Sequence, residues 1–171
     1  TCAAGSYSEF IPSTACKPCP MGKFCKAGSN GCTDCAAGYY ADKAGSGSCA
    51  ICAAGKYSLT GAATCTNCAP GKYNKETGQT ICQTTPAGMY SLAGAAFSIE
   101  CPIGTYNGST GKSVCQKCAT GTYAPTKGLL ACDSCGVGQY ASTTGSSVCT
   151  QCPTGKANGL TTKILRRLWT W

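Results

Sequence analysis

Large apolar side chains are sparse along this chain, and those that recur do so at one place, two residues after a glycine. Tyr7, Phe24, Tyr40, Tyr57, Tyr73, Tyr90, Tyr106, Tyr123 and Tyr140 follow Gly5, Gly22, Gly38, Gly55, Gly71, Gly88, Gly104, Gly121 and Gly138. A tenth glycine, Gly155, is followed by Ala157 instead. A rule, Cys-x2-Cys-x2-Gly-x-Tyr, returns every 16 or 17 residues, and a fixed short period marks an array of repeats. A second glycine stands four residues before the next cysteine slot, at 28, 45, 61, 78, 94, 111, 128 and 145, and Pro12 holds that slot in the first repeat.

Each repeat therefore reads as a small hairpin: a short strand around the aromatic, a glycine-containing turn, and a second short strand leading into the cysteine pair. Glycine recurs about every eight residues, which argues against helix. Long and short repeats differ only between the aromatic and the second glycine. Insertions concentrate at exposed tips, so the tip is predicted just after the aromatic. Pro12 shows that the second-glycine slot does not strictly demand positive φ. The first glycine is the better candidate for positive φ or close backbone approach. The ring is expected to lie against the neighbouring disulfide as a miniature core. The predicted fold is a small disulfide-rich β protein, an elongated tandem array of 16–17-residue two-stranded hairpins with no large hydrophobic core and little or no helix. About nine units are expected over 2–157, followed by an irregular basic and aromatic tail, 158–171.

Composition supports an array held together by something other than a core. Of 171 residues, 43% count as hydrophobic, yet Val, Ile, Leu and Phe together number only 19. That is too few for a packed interior of ordinary size. Eighteen Cys take its place, the signature of a disulfide scaffold made in an oxidising, extracellular or cell-surface compartment. No run of 18 apolar residues exists, so no membrane span is expected. The net charge of +8 comes mostly from scattered Lys, a pattern of solubility and not of a nucleic-acid partner. No leader is visible and the chain starts in mid-pattern, so we expect a mature or partial product.

The bridge pattern follows from two missing cysteines. Thr85 replaces the second Cys of one pair and Ser98 the first Cys of the next. If the second Cys of each pair bonds the first Cys of the following pair, the two losses remove one bridge and orphan no thiol. Bonds within pairs would strand Cys82 and Cys101. The resulting ladder is Cys2–Cys16, Cys19–Cys32, Cys35–Cys49, Cys52–Cys65, Cys68–Cys82, Cys101–Cys115, Cys118–Cys132 and Cys135–Cys149. In the unit lacking its bridge, 85–98, Met89, Leu92 and Phe97 are expected to form a small apolar substitute. Zinc competes for paired Cys-x2-Cys motifs. The paired Thr85/Ser98 loss and the lack of His favour bridges, so neither metal nor cofactor is expected.

Two cysteines are left over. Cys25 follows Phe24 at the expected loop tip, and the partner slot of Cys152 is filled by Arg166. Both are expected unpaired or intermolecular, and a head-to-tail Cys152–Cys25 bond would propagate into a filament. Asn107-Gly108-Ser109 is the only N-glycosylation sequon, also at an expected tip, and the many Ser and Thr offer sites for further glycans. The tail, with Lys163, Arg166, Arg167 and both Trp, reads either as a docking segment or, more plainly, as an irregular terminus.

The Cys-x2-Cys-x2-Gly-x-Tyr rule resembles the ephrin-receptor-like cysteine-rich repeat and, more loosely, cysteine-rich surface antigens of protists. The resemblance implies an extracellular stalk, adhesion or receptor module without catalysis. Six acidic residues (Glu9, Asp34, Asp42, Glu76, Glu100 and Asp133), dispersed and without His, give acid–base chemistry no pair to work with. The expected function is that of a non-enzymatic structural protein: a stalk, coat or filament subunit whose partners are copies of itself or other matrix and coat proteins. The alternative is a ligand-binding or adhesion ectodomain with the odd repeat at 85–101 as its site.

Overall fold

The computed structural model describes residues 1–10 and 15–154. Pro12, Gly155, Ala157 and the segment 158–171 lie outside the described residues. Those described contain no helix and form nine two-stranded antiparallel hairpins in tandem, a small disulfide-rich β repeat array.

The chain divides into two compact units, Thr1–Thr84 with Ser91–Ser98, and Thr85–Tyr90 with Ile99–Trp171. In the first, β1 (Ser6–Tyr7) pairs with β2 (Lys17–Pro18), and β3 (Lys23–Phe24) with β4 (Thr33–Asp34). There β5 (Tyr39–Tyr40) pairs with β6 (Ala50–Ile51), β7 (Lys56–Tyr57) with β8 (Thr66–Asn67), and β9 (Lys72–Tyr73) with β10 (Gln83–Thr84). In the second unit β11 (Met89–Tyr90) pairs with β12 (Ile99–Glu100), and β13 (Thr105–Tyr106) with β14 (Gln116–Lys117). The last two hairpins are β15 (Thr122–Tyr123) with β16 (Asp133–Ser134) and β17 (Gln139–Tyr140) with β18 (Thr150–Gln151).

Two-residue strands cannot persist alone, and turn chemistry explains where they start and stop. In the second repeat Lys23 N donates to Pro20 O (3.2 Å), with Gly22 at the third turn position and φ at 79°. Six residues on, Ser29 N donates to Lys26 O (3.2 Å) around Gly28, φ 76°. Positive φ at that position is the mark of a type II turn and needs glycine. The first glycine has positive φ in every described copy, as expected, and the second glycine shares it in every described copy, while the Pro12 slot lies outside the described residues.

Successive hairpins are stitched by backbone atoms. Gly22 N donates to Ala41 O (2.8 Å), Ala41 N to Ala62 O (3.2 Å), and Gly45 N to Cys19 O (2.7 Å). The second unit repeats the set, with Gly104 N to Ala124 O (2.9 Å), Ala124 N to Ser146 O (3.0 Å) and Gly128 N to Cys101 O (2.9 Å). Backbone donors serve any sequence, so exposed positions can vary freely between repeats. A Cβ on Gly22 would run into the carbonyl of Gly61, two repeats further on. That close approach is the second reason for glycine there.

Of the expected ring-and-disulfide core, the cysteines are the fully buried part. The rings of Tyr7 through Tyr123 are only half-buried, and Tyr140 is exposed. The buried positions are the second Cys of most pairs (Cys19, Cys35, Cys52, Cys68, Cys101 and Cys118 at 0%), the first glycine from Gly5 to Gly104, and the residue after the aromatic in every described repeat but the first. The tip is therefore not just after the aromatic, because that residue carries the hydrogen bonds to the next hairpin.

Candidate functional site: the cysteine ladder and its irregular rungs

Eight links of the ladder join Cys2–Cys16, Cys19–Cys32, Cys35–Cys49, Cys52–Cys65, Cys68–Cys82, Cys101–Cys115, Cys118–Cys132 and Cys135–Cys149. Except at Cys19–Cys32, the Cα–Cα distance is 5.7 Å throughout, well inside the range a disulfide spans. Six of the links, those of Cys19, Cys35, Cys52, Cys68, Cys101 and Cys118, run from a fully buried Cys whose backbone is hydrogen-bonded at both N and O to a more exposed one. At Cys52, for example, N donates to Gly38 O (2.9 Å) and O accepts from Gly78 N (2.8 Å).

Cys25 departs from its expected place. It is 1% exposed, in the buried slot after the aromatic, with its sulfur against that of Cys32. The Cys25–Cys32 Cα separation is 4.8 Å and the Cys19–Cys32 separation 6.0 Å, so backbone geometry admits either bridge. One sulfur makes one disulfide, so nine S–S contacts, with Cys32 in two of them, amount to at most eight bonds at once. Burial of Cys25 argues against the head-to-tail bond to Cys152. Cys152 itself is free and half-buried, with its N donating to Gly138 O (2.7 Å).

The rung at Thr85 keeps its backbone role without a bridge. Thr85 is fully buried, and its carbonyl accepts from Gly111 N (2.8 Å), the second glycine of the next repeat, as the Cys52 carbonyl does from Gly78 N. Leu92 and Phe97, expected to form an apolar substitute, are 60% and 63% exposed. Met89 is half-buried. A buried slot of cysteine size takes threonine, and the backbone ladder needs no aliphatic patch beside it.

Asn107 is also corrected. It is 1% exposed, and its Nδ2 donates to Met89 O (3.0 Å) and Val114 O (3.1 Å) and contacts Cys115 Sγ (3.6 Å). Nδ2 is the atom a glycan would need. Asn74 occupies the same slot in the first unit, fully buried, with Nδ2 donating to Lys56 O (3.0 Å). Ser58 does the equivalent with its hydroxyl to Tyr39 O (3.0 Å). The slot after the aromatic thus ties one hairpin to the strand of the one before. Sequence reasoning missed it, although a signal existed: Ser8, Cys25, Ala41, Ser58, Asn74, Ser91, Asn107, Ala124 and Ala141 are all small or compact.

On the surface of the first unit an open concavity of about 430 Å³ is lined by Tyr57, Thr66, Asn67, Lys72 and Ile81, among others. The acidic residues Glu9, Asp34, Asp42, Glu76, Glu100 and Asp133 are all exposed. Two of them pair across their hairpins, Asp34 with Lys23 (3.0 Å) and Glu9 with Lys17 (3.1 Å). Such exposed pairs contribute little stability.

Residues 22–56, 55–100 and 121–165 match the family model described as tyrosine-protein kinase ephrin type A/B receptor-like, together well over half of the chain. No curated protein matches the sequence.

Proposed function

The chain belongs to the ephrin type A/B receptor-like family of cysteine-rich repeats, and from that membership we propose that it is a non-enzymatic structural protein of the cell exterior, serving as a stalk, coat or filament subunit. One observation carries the reading. Hairpin is tied to hairpin by backbone bonds and bridges that repeat from rung to rung, while the side chains that vary are exposed except in the compact slot after the aromatic. Such construction keeps one geometry through many repeats and suits a spacer or a surface layer. Extensive disulfide bonding agrees with an extracellular or surface setting.

Negative-stain electron microscopy of native material tests the reading. Ordered fibres, a surface lattice or surface-anchored stalks containing this chain support it, and dispersed single molecules outside any such structure sink it. An adhesion or receptor ectodomain is the second reading, favoured by the concavity at Tyr57, Lys72 and Ile81, which offers an aromatic, a cation and an aliphatic side by side. If that reading holds, Lys72→Glu abolishes capture of a partner from extracellular fluid and leaves any assembly intact.

A further inference from the structure

The second repeat gathers three sulfurs where its neighbours have two. Sγ atoms of Cys19, Cys25 and Cys32 all lie within 4.8 Å of one another. Cys19 and Cys25 are buried, and Cys32 is partly exposed. The backbones of both buried residues are pinned whichever sulfur is bonded. Cys19 N donates to Gly5 O (2.8 Å) and its O accepts from Gly45 N (2.7 Å). Cys25 N donates to Ser46 O (3.1 Å) and its O accepts from Gly5 N (2.8 Å). Cys32 is thus the movable partner of two fixed ones, and a change of partner requires only side-chain rotation.

We propose that Cys19, Cys25 and Cys32 form an internal thiol–disulfide exchange site in which Cys32 alternates between two buried partners. The Cys25 thiol loses its proton to solvent, and the thiolate attacks Sγ of Cys32 in the Cys19–Cys32 bridge. The Cys25–Cys32 bond forms as the Cys19–Cys32 bond breaks, and Cys19 leaves as a thiolate that takes up a proton. The reverse step is identical in kind. The trio holds one disulfide and one thiol before and after, so it neither gains nor loses electrons and no oxidant or reductant is consumed. Three sulfurs are an odd number, so one thiol persists inside an otherwise oxidised repeat. In either state that thiol is buried, out of reach of bulky oxidants and of other chains. The two bridges close different loops, with sequence separations of 13 for Cys19–Cys32 and 7 for Cys25–Cys32. The exchange therefore shifts the tether of the turn around Gly28 from the start of the repeat to its middle.

The test is pairing analysis of the wild-type chain. Acid quenching removes the thiolate and freezes exchange, after which free thiols are blocked with N-ethylmaleimide and the chain is digested with pepsin. Both Cys19–Cys32 and Cys25–Cys32 peptides are expected, with the blocking label divided between Cys25 and Cys19. Recovery of one pairing alone, with all label on the third cysteine, overturns the proposal. So does a disulfide from any of the three to a cysteine elsewhere, Cys152 included. Cys25→Ser should then yield only the first peptide and Cys19→Ser only the second. Should either variant fail to fold, the wild-type map decides alone.

Discussion

Gly22 and Gly28 share a left-handed backbone but not surroundings, which separates two reasons for a glycine. Gly22 faces the carbonyl of Gly61, whereas a Cβ on Gly28 meets nothing within 4 Å. Alanine at either position pays the left-handed penalty of about 1–2 kcal/mol. Gly22→Ala must also push two hairpins apart. We expect Gly28→Ala to weaken hydrogen-exchange protection modestly around its own turn, and Gly22→Ala to weaken it more and as far as Gly61. Equal effects at both sites would contradict the close approach. At Asn107 the sequence motif and the structure point in opposite directions. The sequon is legible, but both Nδ2 hydrogens are engaged, by Met89 O and Val114 O, and a sugar would replace one of them in a site with no room for it. Mass spectrometry before and after glycosidase treatment should find Asn107 unmodified in folded native protein. A glycopeptide at that residue would refute its burial. The motif misleads because it records a residue triplet, whereas burial is decided by the slot after the aromatic, whose identity changes from repeat to repeat.

At the scale of the hairpin, the regular positions were legible and the packing was not. The glycine–aromatic spacing locates β3, β5 and β7, and the paired loss at Thr85 and Ser98 yields a pairing rule from residues alone. What stays hidden is which atoms join one hairpin to the next, because backbone donors leave no trace in side-chain identity. Those backbone bonds lead to a prediction. Thr85 is as buried as Cys52, and the carbonyls of both accept from the second glycine of the next repeat, Gly111 and Gly78. Replacing Cys52 and Cys65 by Thr and Ser copies the natural unbridged repeat into the first unit. The lost bridge encloses a sequence separation of 13, nominally worth about 3 kcal/mol. The double variant should fold, with the Gly78 amide still protected and exchange faster only in its own hairpin and those beside it. Collapse of protection throughout the first unit would mean that Thr85 depends on something its position does not supply.

For the whole molecule the question is what replaces a hydrophobic core. The buried set consists of Cys, Ala, Ser, Thr, Asn and Gly, while Ile81, Phe97, Val114 and Val137 stand 63–93% exposed. Apolar burial at about 25 cal/mol per Å² acts here on small side chains and sulfur. A backbone hydrogen bond nets only about 0.5–1.5 kcal/mol, and three per junction cannot by themselves order sixteen or seventeen residues at a cost of about 1–2 kcal/mol each. The bridges close that gap by restricting the unfolded chain, in loops short enough that each hairpin is nearly formed before it folds. Repeats that touch mainly their neighbours gain and lose order locally. Graded reduction with a phosphine should therefore strip protection hairpin by hairpin, the half-buried first cysteines being the point of attack. Complete reduction should leave the amides of Gly45, Gly61 and Gly128 exchanging at the rate of an unstructured chain. If those amides stay protected once every sulfur is a thiol, the backbone ladder holds the fold without the bridges, and the scaffold role given to the cysteines is wrong.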